Sequence, residues 1–206
     1  MAFDITTAIN IMSLSAVAVF AVSGALNAAR QRMDILGFML IGTVTGLGGG
    51  TLRDLVLGHL PVFWVREPIW ISICLIASAV TYFVTPMLAS LSRALVWMDA
   101  VGLALFAVAG TEVALKFGAT PLIAVCMGVM TASFGGIARD VLCRSSLTLM
   151  NEELYITTAL AGSVVYLILH ELGLAANVDL IGGFCTAFIL RALAIKFKIK
   201  LPNMYK

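Results

Sequence analysis

Two arginine–aspartate pairs are the residues of this sequence whose type and position could do chemistry, because both interrupt long apolar segments. Each pair follows a glycine run: Gly48, Gly49 and Gly50 precede Arg53 and Asp54, and Gly135 and Gly136 precede Arg139 and Asp140. A charged residue inside a membrane span costs at least about 2.5–3.5 kcal/mol on insertion scales, so it usually faces a polar interior and has a partner. The pairs therefore indicate a polar path through apolar segments.

Helix geometry limits how these charges can pair. Neighbouring positions on a helix point about 100° apart, so we expect each aspartate to pair with the arginine of the other motif and not with its own neighbour. The alternative is a set of purely structural salt bridges, or arginines that extend to the membrane surface.

The two motifs belong to an internal duplication with an offset of 86 residues. An ungapped comparison of residues 19–57 with residues 105–143 gives 12 identities in 39 positions, spread over two apolar segments. Self-similarity at a fixed offset indicates a repeated structural unit. Identical pairs outside the motifs include Phe20 and Phe106, Gly24 and Gly110, Gly42 and Gly128, and Thr45 and Thr131.

The composition is that of an integral membrane protein. Of the 206 residues, 61% are hydrophobic and 12% charged, and the mean hydropathy is +1.06, against about 45–50% apolar and 25% charged in soluble domains. A spanning helix needs about 20 apolar residues. Seven such stretches occur, at about 5–28, 35–60, 68–88, 94–115, 120–143, 154–170 and 178–195.

These stretches predict one all-α membrane domain over residues 1–206, with seven transmembrane helices. The duplication divides it into a first repeat at about 5–88, a second at about 94–170 and a seventh helix at about 178–195. Each repeat holds three spans, an odd number, so the second copy must enter the membrane from the opposite side. Inverted repeats of this kind are common in transporters, with the site near the midplane on broken helices.

The basic residues predict the orientation. Ten Lys and Arg residues fall on one side of the predicted spans and three on the other. Basic residues near span ends favour the cytoplasm, so the amino terminus is expected outside and the carboxy terminus inside. The basic carboxy-terminal tail suits an anionic lipid surface, and a nucleic-acid partner is not expected.

The glycine runs have two readings. Glycine in a helix interior costs about 1 kcal/mol relative to alanine, so spans 2 and 5 could break or kink there and expose carbonyl oxygens to a pore. Alternatively, the glycines only allow close helix packing. Hydroxyl groups near both runs could line the pore, or could bond their own backbone four residues earlier; they belong to Thr43, Thr45, Thr51, Thr131 and Ser133.

Span 4 carries three further charged residues that could act in gating: Asp99, Glu112 and Lys116. Glu112 and Lys116 have i, i+4 spacing, so an ordinary helix pair is the alternative. The sequence contains no nucleophile–base or metal-binding constellation, so we predict no enzyme, no catalytic or metal site and no cofactor.

Two glycine runs followed by Arg-Asp, in a seven-span chain of this length, resemble the prokaryotic trimeric intracellular cation (TRIC) channel family. The resemblance implies a multi-pass protein of a bacterial or archaeal cell (inner) membrane. It implies a homotrimer in which each protomer has a pore for potassium and sodium, formed by spans 2 and 5 at the glycine kinks, with membrane lipids as further partners and bound lipid possible. Animal members carry Lys-Glu-Val in span 4, where this chain has Thr111-Glu112-Val113, so their lipid-regulation mechanism is not implied.

A transporter of glycine or another small amino acid is the second reading, since similar bacterial proteins are also described as glycine transporters. An arginine could hold the carboxylate of a zwitterion and an aspartate its amine. A channel instead needs a continuous, weakly binding path, with Asp54 and Asp140 neutralising the arginines.

Overall fold

The computed structural model describes residues 5–145 and 154–199, and this part of the chain forms eight α-helices without a strand. The helices are α1 (Ile5–Arg30), α2 (Ile35–Val56), α3 (Phe63–Arg66), α4 (Ile69–Val84), α5 (Leu91–Lys116), α6 (Pro121–Leu142), α7 (Tyr155–Glu171) and α8 (Ala176–Phe197).

Six segments in the described ranges are long and apolar enough to cross a membrane: Ile9–Arg30, Ile35–Val56, Ile69–Met87, Leu91–Lys116, Pro121–Leu142 and Ala176–Phe197. The apolar helix α7 is shorter, at 17 residues. Large apolar side chains are exposed on the outside of the bundle, for example Leu36, Phe83 and Leu122. In water such a surface would be a liability, but in a bilayer it faces lipid. The prediction of an all-helical, multi-pass membrane protein is confirmed.

The duplication is visible in the helix ends. Adding 86 to the bounds of α1 and α2 gives the bounds of α5 and α6, and the same shift brings α4 within one residue of α7. The chain leaves the helices at matching positions too, since the positive-φ residues Arg32 and Gly58 correspond to Gly118 and Arg144. The left-handed conformation that ends these helices suits glycine best.

Side chains at the helix starts also fit the observed bounds. Asp34 precedes α2 and accepts a hydrogen bond from the Gly37 N–H at 2.8 Å, and Ser90 caps α5 through the Arg93 N–H. Such caps satisfy amide groups that have no partner within the helix.

The second and third predicted stretches both extend past their α-helices. The stretch 35–60 continues beyond the end of α2 at Val56. Within 68–88 the α-helix ends at Val84 and a 3-10 turn follows over Thr85–Met87. The short helix α3 was not predicted, because a single turn of four residues has no apolar period to detect. It lies between α2 and α4 and brings Phe63 and Trp64 against the bundle.

The core lies between α1 and α5. Phe20 and Phe106, which correspond under the offset, pack edge to face with ring centroids 5.0 Å apart. Small residues surround them, including Ala16, Ala107 and Ala132, all fully buried. Small side chains let the helices approach closely, which is how packing is achieved where lipid removes the hydrophobic drive between helices.

Candidate functional site

The glycine runs lie where α2 crosses α6. A Cβ atom added at Gly49 would overlap the backbone carbonyl oxygen of Thr131, and one added at Gly135 would overlap that of Thr45. This is one contact made twice, because the offset of 86 relates Gly49 to Gly135 and Thr45 to Thr131. The glycines therefore allow the two helix backbones to touch.

Neither glycine run breaks its helix. Both helices continue through them, α2 to Val56 and α6 to Leu142. The bare backbone of Gly49 and Gly135 is covered by the opposite helix, the Phe63 ring lies against Gly50, and the Tyr155 hydroxyl lies against Gly136. Gly48 instead lines a cavity beside α2. The close packing of the alternative reading is present at Gly49 and Gly135.

The hydroxyl groups near the crossing bond their own helices. Four of them donate to the carbonyl oxygen four residues earlier at 2.6–2.8 Å: Thr45 to Ile41, Thr51 to Leu47, Thr131 to Met127, and Ser133 to Val129. Thr43 Oγ1 is buried and has no hydrogen-bond partner in the described ranges. The four hydroxyl groups that donate to the backbone can offer only oxygen lone pairs to a solute.

Arg53 is bound by its own neighbour. Its Nε and Nη2 donate to Asp54 Oδ1 at 3.0 and 2.7 Å, and Asp54 Oδ2 accepts the Phe63 N–H at 2.8 Å. One carboxylate therefore neutralises the arginine and also fixes the start of α3.

Arg139 is bound in the same way and more deeply. Its Nε donates to Asp140 Oδ1 at 2.8 Å, and its Nη1 donates to Asp99 Oδ1 at 2.7 Å and to Ser23 Oγ at 2.6 Å. Asn27 Nδ2 lies 3.4 Å from the same Asp140 oxygen. Arg139 is fully buried, so α1, α5 and α6 are tied together by a charge network out of contact with water.

The predicted exchange of partners between the two motifs is therefore wrong. Adjacent helical positions do point apart, but the arginine side chain is long enough to fold back along the helix and place its guanidinium group beside the neighbouring carboxylate. Arg53 and Arg139 do both have charged partners inside the bundle, as predicted.

The offset explains why the surroundings of the two arginines differ. It relates the two outside partners of Arg139 to residues near Arg53: Ser23 to Ala109, and Asp99 to Ser13. Both counterparts line a cavity of about 230 Å³ beside Arg53. Ser13 and Ala109 are shorter and uncharged, so a cavity remains beside Arg53, whereas Asp99 and Ser23 fill the corresponding space beside Arg139. The two ends of the α2–α6 crossing therefore differ in how closely they are packed.

A second polar chain joins α5, α7 and α8. The Tyr166 hydroxyl donates to Glu112, and Glu112 Oε1 lies 3.3 Å from Lys116 Nζ. The Tyr166 ring also stacks on His170, whose Nδ1 lies 3.5 Å from Asp179. The predicted Glu112–Lys116 helix pair is present, and Asp99 belongs to the Arg139 network.

Several buried polar residues were missed by the sequence reading, among them Ser23, Asn27, Tyr155 and Arg191. Ser23 and Asn27 are four residues apart on the apolar helix α1, a spacing that places both on one face and could have been noticed. Arg191 was counted with the basic tail, yet it is fully buried with its guanidinium 5.1 Å from the Tyr155 ring centroid. Within the described ranges, no group of three His, Cys, Asp or Glu side chains could hold a metal ion.

Comparison with known proteins places this arrangement in a family. The family model described as Glycine transporter matches residues 10–86 and again residues 96–171. The solved TRIC trimeric intracellular cation channel orthologue from Rhodobacter sphaeroides is 47% identical, with a TM-score of 0.92 over 94% of this chain and 100% of that chain. The chain belongs to the TRIC family, which overlaps the one described as Glycine transporter.

Other relatives are similar along most of their length. A TRIC cation channel structure is 32% identical with a TM-score of 0.85, covering 100% of this chain and 98% of that chain. The inner membrane protein YadS of Escherichia coli K12 is 39% identical over 90% of this chain and 91% of its own. A membrane protein of Vibrio cholerae is 36% identical over 96% of this chain and 83% of its own. These neighbours are channels and membrane proteins, in keeping with a role other than catalysis.

Proposed function

We propose that this chain is a monovalent cation channel for potassium and sodium. The observation that carries the proposal is the similarity, at 47% identity and a TM-score of 0.92, to a trimeric intracellular cation channel over nearly the whole chain. The proposed assembly is a homotrimer in a bacterial or archaeal cell membrane, with a pore in each protomer and membrane lipids around it.

The pore is proposed to follow the α2–α6 crossing. Polar groups lie on both sides of it, at Arg53 and at Arg139, whereas most of the remaining interior is apolar. Each arginine is neutralised by its own aspartate at 2.7 or 2.8 Å, which lowers its repulsion of cations. The buried Arg139 network fills one end, so in this proposal conduction requires Arg139 or Asp99 to move.

The proposed topology is seven spans, with α7 as the short sixth span and the two repeats inverted. The reciprocal contacts of Gly49 with Thr131 and of Gly135 with Thr45 support a twofold relation between the repeats, because each half offers the other the same surface. An odd number of spans in each repeat turns that relation into an inversion. The amino terminus is then outside and the carboxy terminus cytoplasmic.

A transporter of a small amino acid is the second candidate. Its support is the description of the matching family model, together with a cavity at Arg53 and a filled region at Arg139. A site open at one end and closed at the other is what alternating access requires.

Flux through the purified protein in liposomes separates the two candidates. A channel gives unitary potassium currents in planar bilayers and no saturable uptake of labelled glycine. Empty liposomes and liposomes with an unrelated membrane protein are the controls. Saturable glycine uptake in the absence of unitary currents would reject the channel and establish the transporter.

The trimer is tested by crosslinking in mild detergent, where a band of three protomers is expected. Mass measurement in lipid nanodiscs is the second readout. A monodisperse monomer or dimer there contradicts the proposed assembly.

A further inference from the structure

The cavity at Arg53 has a wall of hydrogen-bond donors. It measures about 230 Å³ and is lined by Arg53, His59 and Lys116 together with Asn10 and Ser13. Aromatic rings form much of the remaining wall: Phe63, Trp70, Phe106 and Phe117. Pockets for drug-sized ligands are about 300–1,000 Å³, so this one suits a smaller solute.

The cationic groups keep donors free for such a solute. Arg53 uses Nε and Nη2 for Asp54, and its Nη1 takes part in no hydrogen bond within the described residues. Lys116 contacts Glu112 at 3.3 Å and remains 46% exposed, and an ammonium group has three donors. His59 lies against the Phe117 ring, 3.8 Å between centroids.

The carboxylates that pair with Arg53 and Lys116 do not line the cavity. Asp54 is fully buried and Glu112 is 5% exposed, and no Asp or Glu lines the cavity within the described residues. The two carboxylates offset the charge of Arg53 and Lys116 without offering an acceptor to the interior. A solute inside therefore meets N–H donors, apolar rings and the neutral polar groups of Asn10 and Ser13, but no anionic partner for a cation.

We propose that this cavity binds a small monocarboxylate anion. Its carboxylate accepts hydrogen bonds from Arg53 and Lys116, as charge-assisted bonds of this kind are the strong ones, and its apolar part rests against the aromatic wall. A zwitterion such as glycine binds less well, because its ammonium group loses water and gains no carboxylate partner. The cavity adjoins the Arg53 end of the proposed pore, and the anion is assigned from the lining of the cavity alone.

Three probes of similar size test the charge preference: acetate, glycine and methylammonium. Their binding to the protein in lipid nanodiscs is measured by saturation-transfer-difference NMR at constant ionic strength. The expected order of affinity is acetate, then glycine, then methylammonium. Glycine or methylammonium binding as tightly as acetate overturns the proposal, and so does an absence of acetate binding.

Two variants locate the site. Lys116→Gln removes one donor from the cavity and is expected to weaken acetate binding about tenfold. Arg66→Gln is the matched control: Arg66 is exposed, donates to the Leu60 carbonyl at 3.0 Å and does not line the cavity, so this variant removes the same charge and is expected to bind acetate like the wild type. Equal weakening in both variants, or none in Lys116→Gln when its melting temperature is unchanged, contradicts a site at the cavity.

Discussion

At the scale of single residues, Arg139 and Arg53 differ in their access to water. Water can solvate a carboxylate that has lost Arg53 but not one that has lost Arg139. Replacing Arg139 by alanine removes the guanidinium group that Asp99 and Asp140 both bind, in a region without water. Breaking a buried pair in this way costs about 3–5 kcal/mol. Arg53→Ala is expected to cost less, because Arg53 borders a cavity into which water can enter. Thermal unfolding of both variants in one detergent measures the difference, and an equal loss contradicts the assigned environments.

The Tyr155 hydroxyl makes a second residue-scale prediction. It is buried and has no hydrogen-bond partner in the part of the chain described. Removing an unsatisfied polar group is expected to cost nothing, so Tyr155→Phe retains full stability or gains up to about 1 kcal/mol. Tyr166→Phe is the control, since the Tyr166 hydroxyl donates to Glu112 and its loss is expected to cost about 1–3 kcal/mol. A larger loss in Tyr155→Phe than in Tyr166→Phe would refute this.

Residue types and burial were predictable from the sequence, but partners were not. Charges inside apolar segments had to be paired, and Arg53 and Arg139 are. Which carboxylate each one binds depends on side-chain reach and on neighbouring helices such as α5, which supplies Asp99. Neither can be read from spacing along one helix.

At the scale of helices, the crossing predicts opposite effects for two adjacent glycines. Gly49→Ala drives a methyl group into the Thr131 carbonyl, a fixed backbone atom, and overpacking of this kind costs about 1–3 kcal/mol. Gly48→Ala places its methyl group 3.7 Å from the nearest atom, Gly135 Cα, and alanine favours the helix by about 1 kcal/mol.

The measurement is unfolding of the two variants, with single-channel recording on each folded protein. We expect Gly49→Ala to lower stability and alter conduction, and Gly48→Ala to match or exceed the wild type. Equal behaviour of the two alanine variants would show that the backbones do not touch at Gly49.

Helix positions were largely predictable because apolar length marks them and the duplication repeats them. The glycine runs do not break α2 or α6, although glycine disfavours a helix interior. Here α2 and α6 cover each other's bare backbone, so tertiary packing outweighs the local cost. Helix α3 is held by the Asp54 carboxylate, a contact from nine residues away that no local pattern reveals.

For the whole molecule, the uneven distribution of Lys and Arg predicts where the ends lie. A reporter that works only in the cytoplasm should be active when it is fused after Lys206. A tag placed before Met1 should be accessible from outside the cell. Both ends fall outside the described residues, so labelling of intact cells is the direct measurement. Ends on the same side would require an even number of spans and would remove the basis for inverted repeats.

The reciprocal fit of Gly49 on Thr131 and Gly135 on Thr45 has the form of a subunit interface enclosed within one polypeptide. In a subunit interface the two partners are held together by surface contact alone. The peptide that joins the two repeats therefore only keeps them close and in a one-to-one ratio. Residues 1–88 and 89–206, produced as separate chains in one cell, should therefore reassemble and copurify, and Gly49→Ala in the first chain should weaken that reassembly. In a dimer of identical chains a substitution appears in both copies. In a chain that holds both repeats one copy can change alone, and here Ser13 of the first repeat corresponds to Asp99 of the second.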